Sequence, residues 1–334
     1  MPTALVTGAA GFIGYHVCEQ LISNGYDVVG LDAMTDYYEV SLKEARHARL
    51  ESEKFTFIKG YVEERDLLMG LFETHKFDLV IHLAAQAGVR YSIDNPRSYL
   101  ESNIGGTFEL LEAARAYPPR HMLLASTSSA YGANTVMPYV ENVRADHQMS
   151  FYAATKKATE AMAHSYAHLY DLPITMFRFF TVYGPWGRPD MALFKFTKAI
   201  LEGGSIDVYN NGDMSRDFTY IGDLVSALIR LIDVLPERGS APAGETDSLS
   251  PVAPFRVLNI GNSSPTLLMD FISAIELATE RKATCNMMPM QAGDVPATWA
   301  DATLLTQLVG EIPHTKVPEG VAKFVNWYRD YYKC

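Results

Sequence analysis

Cysteine is scarce in this 334-residue chain. The three cysteines, Cys18, Cys285 and Cys334, stand far apart and show no CxxC spacing. That argues against a disulfide framework or a cysteine zinc site and favours a reducing compartment. Cations are in deficit too, with 28 Lys and Arg against 39 Asp and Glu, a formal net charge of -11. Duplex nucleic acid demands a surplus of Lys and Arg against its phosphates, so no nucleic-acid partner is expected. An anionic ligand would have to be met by a few local cations acting against the global field. The nine histidines contain no HxH or HExxH pair, and no metal is expected. No stretch approaches ~20 consecutive apolar residues, the length of a membrane-spanning helix. No basic segment leads into an apolar run at the start of the sequence, where strand character begins at Thr3. A cytoplasmic protein without a membrane partner is the expectation. Internal repeats are also missing.

What is present is a globular composition with 48% hydrophobic residues, enough for a large core. The length suits two domains, or one domain with a substantial appendage. Short β-branched runs at Ala4–Thr7, Asp27–Leu31, Thr56–Ile58, Leu79–His82, Met122–Ala125 and Ile174–Phe179 predict strands. Helical spacing of apolar residues predicts helices at Phe12–Ser23, Arg65–Thr74, Ser98–Ala116 and Phe151–Tyr170. Strands alternating with helices imply right-handed βαβ units and a parallel sheet covered on both faces. The predicted fold is α/β, a doubly wound parallel sheet of Rossmann type over 1–184. A smaller, mixed α/β region follows at 185–334. There the pattern loosens, with helices near Leu193–Glu202, Leu267–Thr279 and Glu319–Tyr332 and a strand at Val257–Ile260. Residues 236–254, rich in Pro, Gly, Ser and Ala, read as an exposed loop.

The turn Gly8-Ala9-Ala10-Gly11-Phe12-Ile13-Gly14 lies where the first strand hands over to the first helix. Its glycines let backbone approach a pyrophosphate, and the helix N-terminus offers free N–H groups. Asp32 ends the second strand 18 residues past Gly14 (32 − 14), near the ~20 expected of a carboxylate that holds ribose hydroxyls. That carboxylate would repel a 2′-phosphate, so NAD is expected rather than NADP. Tyr152 and Lys156 stand at i and i+4 on one helix face. An ammonium beside a phenol lowers its pKa from ~10 and makes it a usable acid or base. Upstream, Ser126-Thr127-Ser128-Ser129 follows the fifth strand, where doubly wound sheets bind their ligands. His82, at a strand end, reads as a packing and hydrogen-bonding residue, and Trp327, Tyr328, Tyr331 and Tyr332 as a packing stripe.

In order and spacing these motifs resemble the extended short-chain dehydrogenase/reductase family along essentially the whole chain. Three further segments narrow the resemblance to UDP-glucuronate 4-epimerases: His82-Leu83-Ala84-Ala85-Gln86-Ala87-Gly88-Val89-Arg90, Phe179 through Met191, and Gly293-Asp294-Val295-Pro296-Ala297. The resemblance implies an NAD-dependent enzyme that inverts C4 of a UDP-sugar through a 4-keto intermediate. Tyr152 would take the proton of the 4-hydroxyl, assisted by Lys156 and Thr127. Gly8, Gly11, Phe12, Ile13, Gly14, Asp32, Ala84, Tyr152 and Lys156 would hold the cofactor. Ser128, Ser129 and Thr181 would lie near the sugar carboxylate, with Arg188 ordering a loop over the substrate. Arg216 would meet the diphosphate and Asp294 the nucleotide end. Relatives pair the helices at 98–116 and 151–170 into a homodimer, which is therefore expected here.

Related 4,6-dehydratases carry an Asp-Glu pair, and decarboxylases a carboxylic side chain, in the loop where this chain has Ser128-Ser129. Hydroxyls cannot perform that acid–base work. A decarboxylase, a dehydratase or a UDP-glucose-type epimerase remains the alternative activity, and a non-catalytic dinucleotide-binding protein the alternative class. Two departures from the family stand out: Tyr61 occupies the place of an adenine-reading Asp, and Gly222 replaces a more usual Asp.

Overall fold

A computed structural model of the chain describes residues 1–291 and 295–334. The first half runs β1 (Thr3–Thr7), α1 (Phe12–Ser23), β2 (Asp27–Asp32), α2 (Val40–Leu50), β3 (Phe55–Lys59), α3 (Arg65–His75) and β4 (Leu79–His82). A helical run follows as α4 (Tyr91–Asp94), α5 (Pro96–Tyr99), a π-helical turn (Leu100–Gly105) and α6 (Gly106–Ala116). Next come β5 (His121–Ala125), α7 (Phe151–Tyr170) and β6 (Ile174–Phe179). The strands predicted over this half are all present, with ends shifted by no more than a residue. Two boundaries, Phe12–Ser23 and Phe151–Tyr170, fall where the apolar spacing put them.

These strands form one parallel sheet in the order β3-β2-β1-β4-β5-β6, extended by a seventh, β10 (Phe255–Ile260), which pairs with β6. Residues beyond Gly184 therefore complete the first sheet as well as building their own layer. The order reverses between β1 and β4, the switch point at which doubly wound folds bind ligands. All but the edge strand β3 are buried on both faces, as their near-continuous Val, Leu, Ile and Ala runs require. One apolar layer joins Val17, Leu21, Leu224 and Leu228 to the sheet, and the other joins Leu68, Phe72, Leu110 and Ala163.

The rest of the chain supplies β7 (Thr181–Tyr183), α8 (Ala192–Glu202), β8 (Ser205–Val208), β9 (Ser215–Tyr220) and α9 (Ile221–Leu231) ahead of β10. After it lie β11 (Pro265–Leu267), α10 (Leu268–Thr279), β12 (Thr284–Met287), β13 (Ala297–Thr298), α11 (Thr303–Val309) and α12 (Val317–Tyr332). A small sheet of β7, β9, β11 and β13 and a pair of β8 with β12 stand beside the main sheet. The helix α9, which continues directly from β9, packs on α1 and binds the two halves together. The aromatic stripe of α12 is packing: Trp327 and Tyr331 meet Trp186, while Tyr328 meets Phe194. The 236–254 segment is exposed over 237–243 and then returns to the body. There Arg256 grips both oxygens of Asp247 at 2.9 and 3.0 Å, and Ser250 meets His164 of α7 at 2.9 Å. Among the described residues no helix is long and apolar enough to cross a membrane.

One buried carboxyl conflicts with its surroundings. Glu141, 5% exposed, accepts a hydrogen bond from the backbone N–H of Asn259 at 2.9 Å. Burial nevertheless pushes its pKa up to about 7. Protonation of this group favours the fold fully below the usual carboxylate range, and the contribution is lost as pH rises through about 7. Glu141→Gln keeps the acceptor without the charge. Its Tm is expected to match the parent's near pH 5 and to exceed it near pH 8, by an amount on the order of 2 kcal/mol in stability. Thermal unfolding at the two pH values measures the difference.

Candidate active site

The carboxyl ends of β1, β2, β4 and β5 open onto a cleft of about 920 Å³. That volume lies at the upper end of ligand pockets generally. Its floor at one end is the glycine-rich turn. Gly8 has φ +74°, and a Cβ there would meet the Ala84 nitrogen at 2.9 Å. A Cβ on Gly14 would fall 2.0 Å from the Gly8 carbonyl oxygen. Only glycine allows the turn to fold back on the start of α1 and leave the N-terminal N–H groups facing the cleft. Asp32 braces the turn: its carboxylate accepts from the Ala10 N–H at 3.0 Å and the Met34 N–H at 2.8 Å. Thr7 accepts from the N–H groups of Leu83 and Ala84, and His82 bridges Thr7 and Thr107 at 2.8 and 3.1 Å. With Gly11, Phe12, Ile13 and Ala84 these residues line the cleft and leave a narrow, backbone-walled channel. The cradle and the carboxylate fit a dinucleotide with free ribose hydroxyls.

Across the cleft stand Tyr152 and Lys156, one turn apart on α7. Ser150 caps that helix by accepting from the Ala153 N–H at 3.1 Å, which fixes its first turn and with it the phenol. Thr127 caps the short turn after β5 and hydrogen-bonds to Tyr152. Lys156, 3% exposed, donates to the Ala125 carbonyl at 3.0 Å. Burial pulls its pKa down to about 8, with the Glu160 carboxylate opposing the fall. Burial likewise pushes Tyr152 above its ordinary value, against the Thr127 hydrogen bond and the Arg188 charge. The phenol-lowering influence expected of Lys156 is thus supplied in this arrangement by Thr127 and Arg188. The buried lysine turns toward a backbone carbonyl instead.

Ser128, Ser129 and Thr181 face the same cleft from the turn after β5 and from β7. Arg188 joins them, gripping Asp190 at 3.0 and 2.5 Å, while Tyr37 donates to the same carboxylate at 3.3 Å. Arg188 is therefore a fixed part of the wall and not a surface arginine. Arg216 on β9 also lines the cleft and donates to the carbonyls of Val295 and Pro296 at 2.7 and 3.1 Å. Asp294 lies outside the described residues. Tyr61 lines the cleft with its ring largely exposed, its N–H given to Glu64. With Lys43, Arg90, Lys156 and Lys195, the wall carries six cations against the four carboxylates of Asp32, Glu63, Asp190 and Asp207, a local positive excess in a chain of net charge -11.

Three supports were not read from the sequence. Arg46 of α2, fully buried, donates to the Ala10 carbonyl at 3.0 Å and the Trp186 carbonyl at 2.7 Å, tying the glycine turn to the loop that bears Arg188. Asn103, turned inward by the π-helical turn, brackets Gln86 through its N–H and carbonyl at 2.8 and 3.1 Å. Glu160 lies four residues beyond Lys156, a spacing that would have revealed it.

The sequence model of the NAD dependent epimerase/dehydratase family matches residues 4–241. A probable UDP-glucuronate 4-epimerase of Rhizobium meliloti is 55% identical over 98% of this chain and 97% of its own. UDP-glucuronate 4-epimerase 4 of Arabidopsis thaliana is 46% identical over 99% of this chain and 76% of its own. Among solved structures, UDP-glucuronic acid 4-epimerase from Bacillus cereus in complex with UDP-glucuronic acid and NAD superposes with a TM-score of 0.88. It is 32% identical and covers 99% of this chain and 100% of its own.

The crowding at Gly14 gives a direct test of the cradle. Gly14→Ala forces the turn away from α1, and NAD binding is expected to weaken about tenfold or more, a cost of only ~1.4 kcal/mol. Calorimetric titration with NAD, beside a circular-dichroism check of the fold, measures it.

Proposed function

The chain belongs to the NAD-dependent epimerase/dehydratase family, and from that premise we propose that it interconverts UDP-glucuronate and UDP-galacturonate by inversion at C4. The observation that carries this reading is the meeting, in one cleft, of the Thr127–Tyr152–Lys156 group, the glycine cradle and the hydroxyls of Ser128, Ser129 and Thr181. The glycine turn and Asp32 would hold NAD, which would supply a reversible hydride acceptor for C4 of the sugar. Tyr152, in its phenolate form, accepts the proton of the 4-hydroxyl, and the resulting phenol gives it back when the hydroxyl is restored. Thr127 orients the phenol, and Lys156, donating to the Ala125 carbonyl, supplies positive charge one helical turn away.

Positions 128 and 129 present hydroxyls only. They can hold a C6 carboxylate by charge-assisted hydrogen bonds, about twice as strong as neutral ones. They cannot act as the acid and base that an elimination needs. A 4-keto hexuronate is a β-keto acid, so holding its carboxylate out of line with the carbonyl also preserves the carbon skeleton. Arg188 and Arg216 are assigned to the anionic part of the substrate, and Asp294 to its nucleotide end. Residues 1–184 hold the cofactor, and 185–334 supply most of the sugar-nucleotide contacts. Three free cysteines suit a reducing cytoplasm.

Tyr152→Phe retains the ring and loses the proton carrier. Turnover of UDP-glucuronate is expected to fall roughly 100-fold or more with the fold and bound NAD intact. Steady-state kinetics with a parallel NAD assay decide it. Near-parental turnover would remove Tyr152 from the chemistry.

Ser128→Ala and Thr181→Ala are expected to narrow the preference for UDP-glucuronate over UDP-glucose, each by about three- to tenfold in kcat/KM, the worth of one hydrogen bond. They are also expected to release a little UDP-pentose. Unchanged ratios in both would reject this carboxylate pocket.

A homodimer through α6 and α7 is part of the proposal. The segments that bear those helices leave Leu100, Phe108, Phe151, Leu169 and Tyr170 exposed, an unusual set of large apolar side chains on one helical layer. Light scattering at micromolar concentration is expected to give twice the 37.1 kDa chain mass, and a monomer mass would contradict it.

A further inference from the structure

Behind the catalytic lysine lies a second cluster of charge that the reaction above does not use. Glu160 follows Lys156 by one helical turn on α7 and is 4% exposed. Its carboxylate is fully engaged. Arg178 of β6 forks onto it with Nε and Nη2, both at 2.8 Å, Ser126 donates to it at 2.6 Å, and Lys157 reaches its outer oxygen at 2.9 Å. The parallel pairing of β5 with β6 brings Arg178 here, because the Ser126 N–H continues the ladder by donating to the Phe177 carbonyl at 2.7 Å. Ser126 lies between two functional atoms of the site. Ala125 before it accepts from the Lys156 amine, and Thr127 after it meets the Tyr152 phenol. One buried carboxylate thus fixes the strand end from which both the lysine and the threonine are positioned.

We propose that Glu160 is a positioning residue for the catalytic group, anchoring residues 125–127 through Ser126 and keeping the charge on Lys156 through its own. The inference rests on the assignment of Lys156 and Tyr152 to the chemistry made above. The other groups around the lysine do not replace it. Tyr152 on α7 rests as a protonated phenol, its pKa raised by burial, and His82 of β4 is held neutral by burial, with Lys156 pressing its pKa further down. Arg178 and Lys157 are cations, and both are drawn onto Glu160 itself. Glu141, beyond Arg178, leans toward its neutral form. Glu160 alone among these is held firmly ionised: burial would raise its pKa, but Arg178, Lys157 and Ser126 bring it down to about 2.

A merely structural ion pair and a charge-setting one predict different results. Glu160→Gln removes the charge and strands Arg178, so lost stability is expected under either role. In Glu160→Gln/Arg178→Met both charges leave together, a replacement that buried pairs tolerate. Both variants are studied as the NAD-loaded enzyme. In each, the Lys156 ε-carbon resonance of selectively labelled protein should titrate about one unit or more below the parent. The alkaline fall of kcat should move toward neutrality by the same amount. If Glu160→Gln does not fold, the double variant decides. A Lys156 titration unchanged from the parent overturns the proposal, whatever happens to Tm. A shifted titration with an unmoved kcat profile upholds the role of Glu160 and counts instead against the need for charged Lys156 in the reaction.

Discussion

Every functional feature of this chain follows from strands that all run one way. Seven parallel strands deliver their carboxyl ends to one edge of the sheet, and the order reverses between β1 and β4. The helix after β1 covers one face, and the helical run after β4 covers the other. The two connections must part at that edge, and the gap between them is the cleft. The glycine turn lies on one side of the gap, and Thr127, Tyr152 and Lys156 lie on the other.

Holding the gap at a fixed width falls to a few buried polar groups. Arg46 spans it from α2 to the loop at 186–187, and His16 meets the Pro185 carbonyl at 3.0 Å from α1. Asp190 and Tyr37 fix Arg188 in the same cleft wall as the phenol, and Asp217 gathers the N–H groups of Asn262, Ser263 and Ala300 behind Arg216. Such groups cost desolvation and are retained only where several partners meet each of them. Their concentration here seats Arg188, Arg216 and Lys156 against fixed partners in a strongly acidic protein.

The sequence made one half of this legible and hid the other for physical reasons. Fully buried parallel strands and amphipathic helices have strong periods, so β1 to β6, α1 and α7 could be read within a residue. Tyr152 and Lys156 showed through their i, i+4 spacing, and the glycines through a turn that tolerates no Cβ. By contrast α2 carries Lys43, Glu44, Arg46, His47 and Arg49 in eleven residues and lacks an apolar stripe, so the helix bearing Arg46 was not predicted. Arg178 looks like a surface residue until β6 is placed beside β5. The strands β7, β8, β9 and β11 have three to six residues each and pair only with distant segments, which a local reading cannot see. The return of residues 255–260 to the main sheet was hidden for the same reason, although the strand itself was read.

The central claim is that these hydroxyls, and not acids, meet the sugar carboxylate beside a tyrosine that moves one proton. Proton NMR of UDP-glucuronate incubated with the NAD-loaded protein tests it most directly. The account predicts that signals of UDP-galacturonate appear and approach equilibrium with all six sugar carbons retained. UDP-pentose as the principal product, or an unchanged substrate in the presence of folded, NAD-loaded protein, would contradict it.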